Sequence, residues 1–257
     1  MCAAPGSKAS QLIEMMHWGD AESDGRTTKS FQWPRGVVMA NDNDSRRVDV
    51  LTFTVQRLGS PSTLVTHVDA QFFPNLFDSA GAIIRFDRVL VDVPCSGDGT
   101  LRKSPGLWSK WTPQEGLALH RKQLAILGRA LELLRVGGRA VYSTCSLNPV
   151  EDEAVVAAAL RRFAGCVTLV ALPPLEGLHG SPGLETWVVP HPSDRSVYWE
   201  RPEDVPSELQ SLARPSAFPA APGSEDVATW AQVSRHCRRF LPHYTASGGF
   251  FVAVLEK

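Results

Sequence analysis

The sequence predicts an α/β fold on a mostly parallel, doubly wound sheet. Three observations predict it. Short apolar runs rich in β-branched residues alternate with longer stretches whose apolar positions recur at helical spacing. The helical stretches carry start and stop signals: Asn148 and Pro149 before one, Thr112 and Pro113 before another, Gly-Gly after it. Acids and small-residue loops stand where the strand-like runs end, the edge at which such sheets hold ligands.

The elements follow in order. "MCAAPGSK" (1–8) is a loop entering an apolar helix, so the strand that normally opens such a sheet is expected to be missing from this chain. "GVVMAND" (36–42) reads as a buried strand, and 44–59 as a helix with Val48, Leu51, Val55 and Leu58 on one face and Gly59 as its stop. "STLVTHVDA" (62–70) and "FDRVLVDVPC" (86–95) are further strands. The stretch 112–138 reads as a helix with Leu117, Leu124, Leu127, Leu131 and Leu134 on one face. "RAVYSTCS" (139–146) is the next strand. In 148–165, Asn148 is placed to cap a helix, with Glu151 at the capping-box position. Residues 19–36 read as an enlarged surface loop, and the Pro- and Gly-rich residues 173–224 as an irregular excursion within the domain. A short helix (225–239) and a strand (248–257) close the chain. The whole of 1–257 is expected to form one amino-terminally truncated catalytic domain.

Composition narrows the chemistry. With 257 residues, 43% of them hydrophobic, the chain can bury one sizeable core. The net charge of −1 leaves no global basic field, so contact with nucleic acid must rest on local positive charge. Five scattered cysteines with no C-x-x-C pair argue against a structural zinc or a disulfide framework, and no metal is expected. They fit a reducing compartment; the localisation expected is intracellular, in the nucleus. No apolar run is long enough for a bilayer and no signal-peptide order opens the chain. A monomer is expected.

The loop Cys2, Ala3, Ala4, Pro5, Gly6, Ser7, Lys8 is small enough for close ligand approach and leads into a helix amino terminus. Its Gly-Ser-Lys order is not that of a phosphate-binding P-loop, and an ordinary helix-entry turn fits as well. Asp42 and Asp69 end successive strands, where an acid can hold a ribose diol or an adenine amine. Cys95, in "DVPCSG", and Cys145, in "STCS", follow strands expected to be neighbours about 4.8 Å apart. Both thiols and Asp92 are therefore expected to converge. A thiolate adding at C6 of cytosine makes C5 nucleophilic toward a methyl sulfonium, and a carboxylic acid at N3 favours that addition. The residues alone do not rank the two thiols. Arg102, Lys103 and Lys110 interleave with Trp108 and Trp111, a composition that holds single-stranded RNA as readily as it fills a core. Arg235, Arg238 and Arg239 read as a solvated helix face or a phosphate contact, and Cys166 and Cys237 as apolar fillers.

"CAAPGSK", "AND", "DVPCSGDGTLRK", "STCSLNPVEDEAVV" and "LPHYTASGGFFVAVL" together resemble the Sun-domain RNA cytosine-5 methyltransferases, within them the eukaryotic enzymes acting on transfer RNA. The ordered set runs from residue 2 to residue 255. The resemblance implies a Rossmann-like methyltransferase fold, S-adenosylmethionine as methyl donor and RNA, specifically tRNA, as partner. It makes Cys2 to Lys8 the donor loop, Asp42 the ribose acid, Asp69 the adenine-side acid and Asp92 an acid of both the donor site and the chemistry. It makes Cys145 the nucleophile and Cys95 the thiol of product release. DNA cytosine-5 methylation, with the Pro-Cys thiol as nucleophile, and an inactive RNA-binding scaffold are the competing readings.

Overall fold

The computed structural model describes every residue except 24, 25, 32, 195 and 222–226, with the backbone alone for 19–23, 26–31, 227 and 245. The chain divides into two compact units, Met1–Phe73 and Pro74–Lys257.

In the first unit, helix α1 (Ser7–His17) leads into strands β1 (Trp18–Ser23) and β2 (Arg26–Phe31). These pair antiparallel from Trp18↔Phe31 to Ser23↔Arg26, so the stretch expected to be a loop holds a hairpin. Its second arm, "RTTKSF", contains two β-branched residues, which favour extended backbone. The connecting residues 24 and 25 lie outside the described residues. Strands β3 (Val38–Asp42) and β4 (Thr63–His67) pair in parallel, with helix α2 (Ser45–Gln56) between them in the chain. Asp44 caps α2 by accepting from the Arg47 amide at 3.0 Å. Leu51 and Val55 are the buried residues of α2, and with Ala4, Ala9, Ile13 and Ala40 they form the unit's core. Leu58, the last residue of the expected face, lies past the helix end and is exposed.

The second unit opens with a short hairpin, β5 (Leu76–Phe77) and β6 (Ile83–Ile84), followed by β7 (Phe86–Asp92), α3 (Leu107–Lys110), α4 (Pro113–Leu133), β8 (Leu134–Thr144) and α5 (Glu153–Arg162). Then come the short strands β9 (Thr168–Val170), β10 (Ser181–Pro182), β11 (Val189–Pro190) and β12 (Tyr198–Trp199). Helix α6 (Val227–His236), β13 (Arg238–Phe240), α7 (Pro242–Thr245) and β14 (Phe250–Glu256) complete it. Residues 225 and 226, expected to start α6, lie outside the described residues. The main sheet runs β10-β13-β14-β8-β7, with β9 also on β14. Among the described residues only β7 and β8 pair in parallel there; the closing strand β14 pairs antiparallel with β8, β9 and β13. The sheet is thus mixed, with its parallel part at the strands that carry the cysteines.

Two expected boundaries move. The helix expected over 112–138 ends at Leu133, and β8 begins at Leu134. The Gly-Gly pair serves a register shift in the strand instead of a helix stop. Gly137 takes φ 72, and a side chain on Gly138 would come within 2.9 Å of the Arg135 carbonyl. The helix expected from Asn148 begins only at Glu153. Asn148 caps nothing but a local turn, accepting from Val150 N at 3.1 Å.

Helix α4 packs on β7 and β8 and buries Ile126, Leu127 and Leu131, while Val91, Ala140 and Tyr142 are buried on those strands and Phe251 and Leu255 on β14. Each such Leu contributes about 1.5–3 kcal/mol through burial. His120 also lies on this buried face. Burial lowers its pKa to about 4, and the neutral ring binds the Val150 carbonyl at 2.6 Å and Ser216 Oγ at 2.8 Å. The described residues of 173–224 hold little regular structure, yet Val189, Trp199, Val205, Ala213, Ala217 and Phe218 pack with Leu117 and Val150 into a second core. Arg239 is buried, not solvated: its guanidinium forms a two-pronged pair with Glu153, and a third N–H reaches the Leu147 carbonyl at 2.8 Å. Breaking such a buried pair costs about 3–5 kcal/mol. Cys237 is fully buried, which pushes its thiol pKa well up, whereas Cys166 is exposed and fills no core.

Candidate active site

In the first unit the Cys2–Lys8 loop is tied to the end of β3. The Ala3 amide donates to the Asn41 carbonyl at 2.7 Å, and the Ala4 amide to Asp42 Oδ2 at 3.1 Å. Arg47 returns a guanidinium N–H to the Ala4 carbonyl at 2.6 Å. Asp42 is buried, and its other oxygen accepts from the Asp44 amide at 3.2 Å. Gly6 precedes α1 with φ 112, and a side chain there would sit 3.0 Å from Thr54 Cβ, so only glycine fits the turn. Pro5 and Ser7 are exposed, Cys2, Ala3 and Lys8 half-buried. The first turn of α1 has no side-chain cap and no acid, which leaves helix-end N–H groups for an anionic ligand.

Asp69 is half-buried and opens a short 3-10 turn, accepting from the Gln71 amide at 3.2 Å and the Gln71 side chain at 3.0 Å. Sequence reading passed over Asn41. Its amide side chain ties the two strand ends, donating to the Val68 carbonyl at 2.9 Å and accepting from Val68 N at 3.1 Å and Thr66 Oγ1 at 2.9 Å. The signal available was its place beside Asp42 at the ligand edge.

In the second unit the parallel register pairs Asp92 with Ser143, and Ser143 Oγ donates to Asp92 Oδ1 at 2.8 Å. Three residues beyond Asp92 and two beyond Ser143 stand the thiols. Cys95 Sγ and Cys145 Sγ are 3.1 Å apart and not bridged. The expected convergence of the thiols is therefore realised, with Asp92 at the same strand ends. The hydrogen bond to Cys145 raises the pKa of Cys95 strongly; burial and the Glu151 charge act in the same direction. Cys95 is thus disfavoured as a thiolate.

The loop around Cys95 is closely fitted. Gly97 has φ 74. Gly99 N donates to the Cys145 carbonyl at 3.0 Å, and a side chain on Gly99 would sit 2.6 Å from that oxygen. Asp98 Oδ1 accepts from Leu147 N at 3.0 Å.

Glu151, which pattern reading assigns to a helix cap, reaches this loop instead. Its Oε1 accepts from Ser96 N at 2.8 Å and Gln123 Nε2 at 3.0 Å. Its Oε2 accepts from Ser96 Oγ at 2.5 Å, Ser146 Oγ at 3.0 Å and Asn148 Nδ2 at 3.4 Å. The next acid, Asp152, accepts from Thr144 Oγ1 at 2.6 Å; burial, with the Glu153 charge beside it, pushes its carboxyl pKa well up.

After the Cys95 loop, Arg102, Lys103 and Lys110 are exposed, and so is Trp108 at 71%. Trp111 is half-buried, its indole N–H enclosed without a hydrogen-bond partner. A groove of about 470 Å³ between Arg235, Arg238 and Glu185 holds none of the site residues. Among the described residues no cluster of three His, Cys, Asp or Glu side chains is arranged to hold a metal, and no helix is long and apolar enough to cross a membrane.

Residues 1–199 match the family model described as 16S rRNA methyltransferase RsmB/F. Over 262 aligned residues the chain is 45% identical to a tRNA (cytosine(34)-C(5))-methyltransferase of Drosophila melanogaster, covering 100% of this chain and 33% of that protein. It is 43% identical to a multisite-specific tRNA:(cytosine-C(5))-methyltransferase of Saccharomyces cerevisiae, covering 100% of this chain and 35% of that protein. The chain thus spans about a third of the length of these curated relatives. Among solved structures, NSun6 from Pyrococcus horikoshii with SFG aligns at a TM-score of 0.62 and 25% identity, over 100% of this chain and 46% of that one.

Proposed function

The chain belongs to the RsmB/F methyltransferase family, and from that premise we propose that it methylates C5 of cytosine in RNA, with tRNA as substrate and S-adenosylmethionine as donor. The observation that carries this reading is the pair of unbridged thiols 3.1 Å apart at the ends of two adjacent parallel strands, next to Asp92.

The residues divide the work. Cys145 adds to C6 of the base as its thiolate. Asp92, acting as the carboxylic acid, would donate to N3 as charge develops there, and Ser143 Oγ, which donates to Asp92 Oδ1, would hold that side chain. The addition leaves C5 nucleophilic. Cys95 serves the step that follows, in which C5 loses its proton and the C6–S bond breaks. The target base must leave its stack to reach thiols seated at strand ends, and the exposed Trp108 with Arg102, Lys103 and Lys110 supports a single-stranded RNA partner.

The first unit has donor groups that suit S-adenosylmethionine. Uncapped N–H groups at the start of α1 suit a carboxylate, and the acids at the ends of β3 and β4 suit hydroxyls and an amine. Cys2 to Lys8, Asp42 and Asp69 would hold it, and when bound it supplies an electrophilic methyl group. The test is methyl transfer from labelled S-adenosylmethionine to unmodified tRNA, read by nucleoside mass spectrometry. The expected product is 5-methylcytosine from the purified chain and none from Cys145→Ala; 5-methylcytosine formed equally by both would overturn the reading.

A further inference from the structure

We propose that Glu151 is the positioning residue of the thiol pair: its buried carboxylate fastens the Cys95 loop to the Cys145 turn and so decides which thiol is the reactive one. The inference rests on the reading of Cys95 and Cys145 as the chemical pair, but its geometry stands independently of any RNA.

One carboxylate, fully buried, collects donors from three segments. Ser96, next to Cys95, gives both its backbone N–H and its hydroxyl, at 2.8 and 2.5 Å. Ser146, next to Cys145, gives its hydroxyl at 3.0 Å. Gln123 of α4 gives its amide at 3.0 Å and with the same nitrogen binds the Pro94 carbonyl at 2.9 Å. The residue following each thiol in the chain is therefore bound to the same carboxylate. No helix cap requires this arrangement, because α5 begins two residues later. Neither Ser96 nor Gln123 is close to Glu151 in sequence; the separations are 55 and 28 residues. A carboxylate so placed acts in two ways. It holds the loops at the separation that brings sulfur to sulfur. Its negative charge disfavours a thiolate at Cys95, in the same direction as the larger effects of the Cys145 hydrogen bond and burial.

The test needs neither RNA nor methyl donor. The purified chain is treated with iodoacetamide near neutral pH, and the alkylation of each cysteine is followed by mass spectrometry, with the exposed Cys166 as internal reference. Cys145 is expected to react at least about fivefold faster than Cys95, since the thiolate is the reacting form. In Glu151→Gln, which keeps the shape and loses the charge, that preference should fall to within about twofold. Ser96→Ala removes one arm of the clamp and should lower the preference by a smaller factor. An unchanged preference in Glu151→Gln, or a preference for Cys95 in the unaltered chain, would overturn the inference. If Glu151→Gln does not melt cooperatively, Ser96→Ala decides alone: a fall of at least about twofold supports the clamp, and no change refutes it. Because alkylation is read without substrate, this failure is separable from failure of the methylation reading, which would show as an absence of 5-methylcytosine with thiol selectivity intact.

Discussion

In residues 1–73 the carboxylates at the strand ends bind mostly their own neighbourhood. Asp69 takes both donors of Gln71, and Asp42 takes the amide of Asp44, with one longer reach to Ala4. In residues 74–257 the site is held across the chain. Glu151 binds Ser96 across 55 residues, Arg239 binds Glu153 across 86, and Gly99 N meets the carbonyl of Cys145. The first unit shapes its ligand loop with small residues, a glycine at positive φ and hydrogen bonds from the loop backbone to the end of β3. The second brings two thiols together with buried charge, which is costly to enclose and holds its geometry only when every oxygen has a donor. The difference separates two demands. A donor loop needs accessible backbone N–H groups, whereas a thiol pair needs two sulfurs kept in contact.

If that comparison is right, damage to the two units is felt in different measurements. The largest effect expected in the first unit is that of Asp42→Ala. It removes the acceptor of two amides and a charge-assisted bond, and should weaken S-adenosylmethionine binding by about 1.5–3 kcal/mol, measured by titration calorimetry. Asp42→Asn, which retains an acceptor, should lose less. Donor affinity unchanged in both variants would break the assignment of the first unit. A smaller effect is expected at the surface of the second unit. Trp108→Ala should weaken binding of single-stranded RNA by about 1–2 kcal/mol at fixed salt, with little change for Trp108→Phe. Filter binding checks it, and a loss of melting temperature in place of affinity would make Trp108 a packing residue.

The same comparison explains what could be read without coordinates. The places of Asp42 at the end of β3, Asp69 just past β4 and the Cys2–Lys8 loop at the entry to α1 were legible because strand ends and helix starts leave a local pattern. The meeting of Cys95 and Cys145 was legible because both follow apolar runs in a βαβ order, and parallel neighbours put their ends side by side. Glu151 was misread because its spacing from Asn148 satisfies a capping box, and nothing in the local sequence records a hydrogen bond to Ser96. The Gly137–Gly138 pair was misread for a related reason: glycine ends helices and permits bulges by the same freedom in φ. Arg239 looked solvated because three arginines within five residues suggest an exposed face, and its buried partner Glu153 is distant in sequence. The hairpin β1–β2 was missed because its residues are polar, and pairing there follows backbone and not a hydrophobic pattern. Local chemistry was readable; long-range bonds between buried polar groups were not.

The central claim is that the two adjacent thiols have distinct jobs, attack by Cys145 and release by Cys95. It is tested most directly by mixing the purified chain with labelled tRNA and S-adenosylmethionine and running a denaturing gel. Cys95→Ala should still add to the base but fail to let go, giving a slow-migrating protein–RNA band that disappears on protease treatment. Cys145→Ala should give no such band and no 5-methylcytosine. A band from Cys145→Ala with none from Cys95→Ala would contradict the account and make Cys95 the nucleophile.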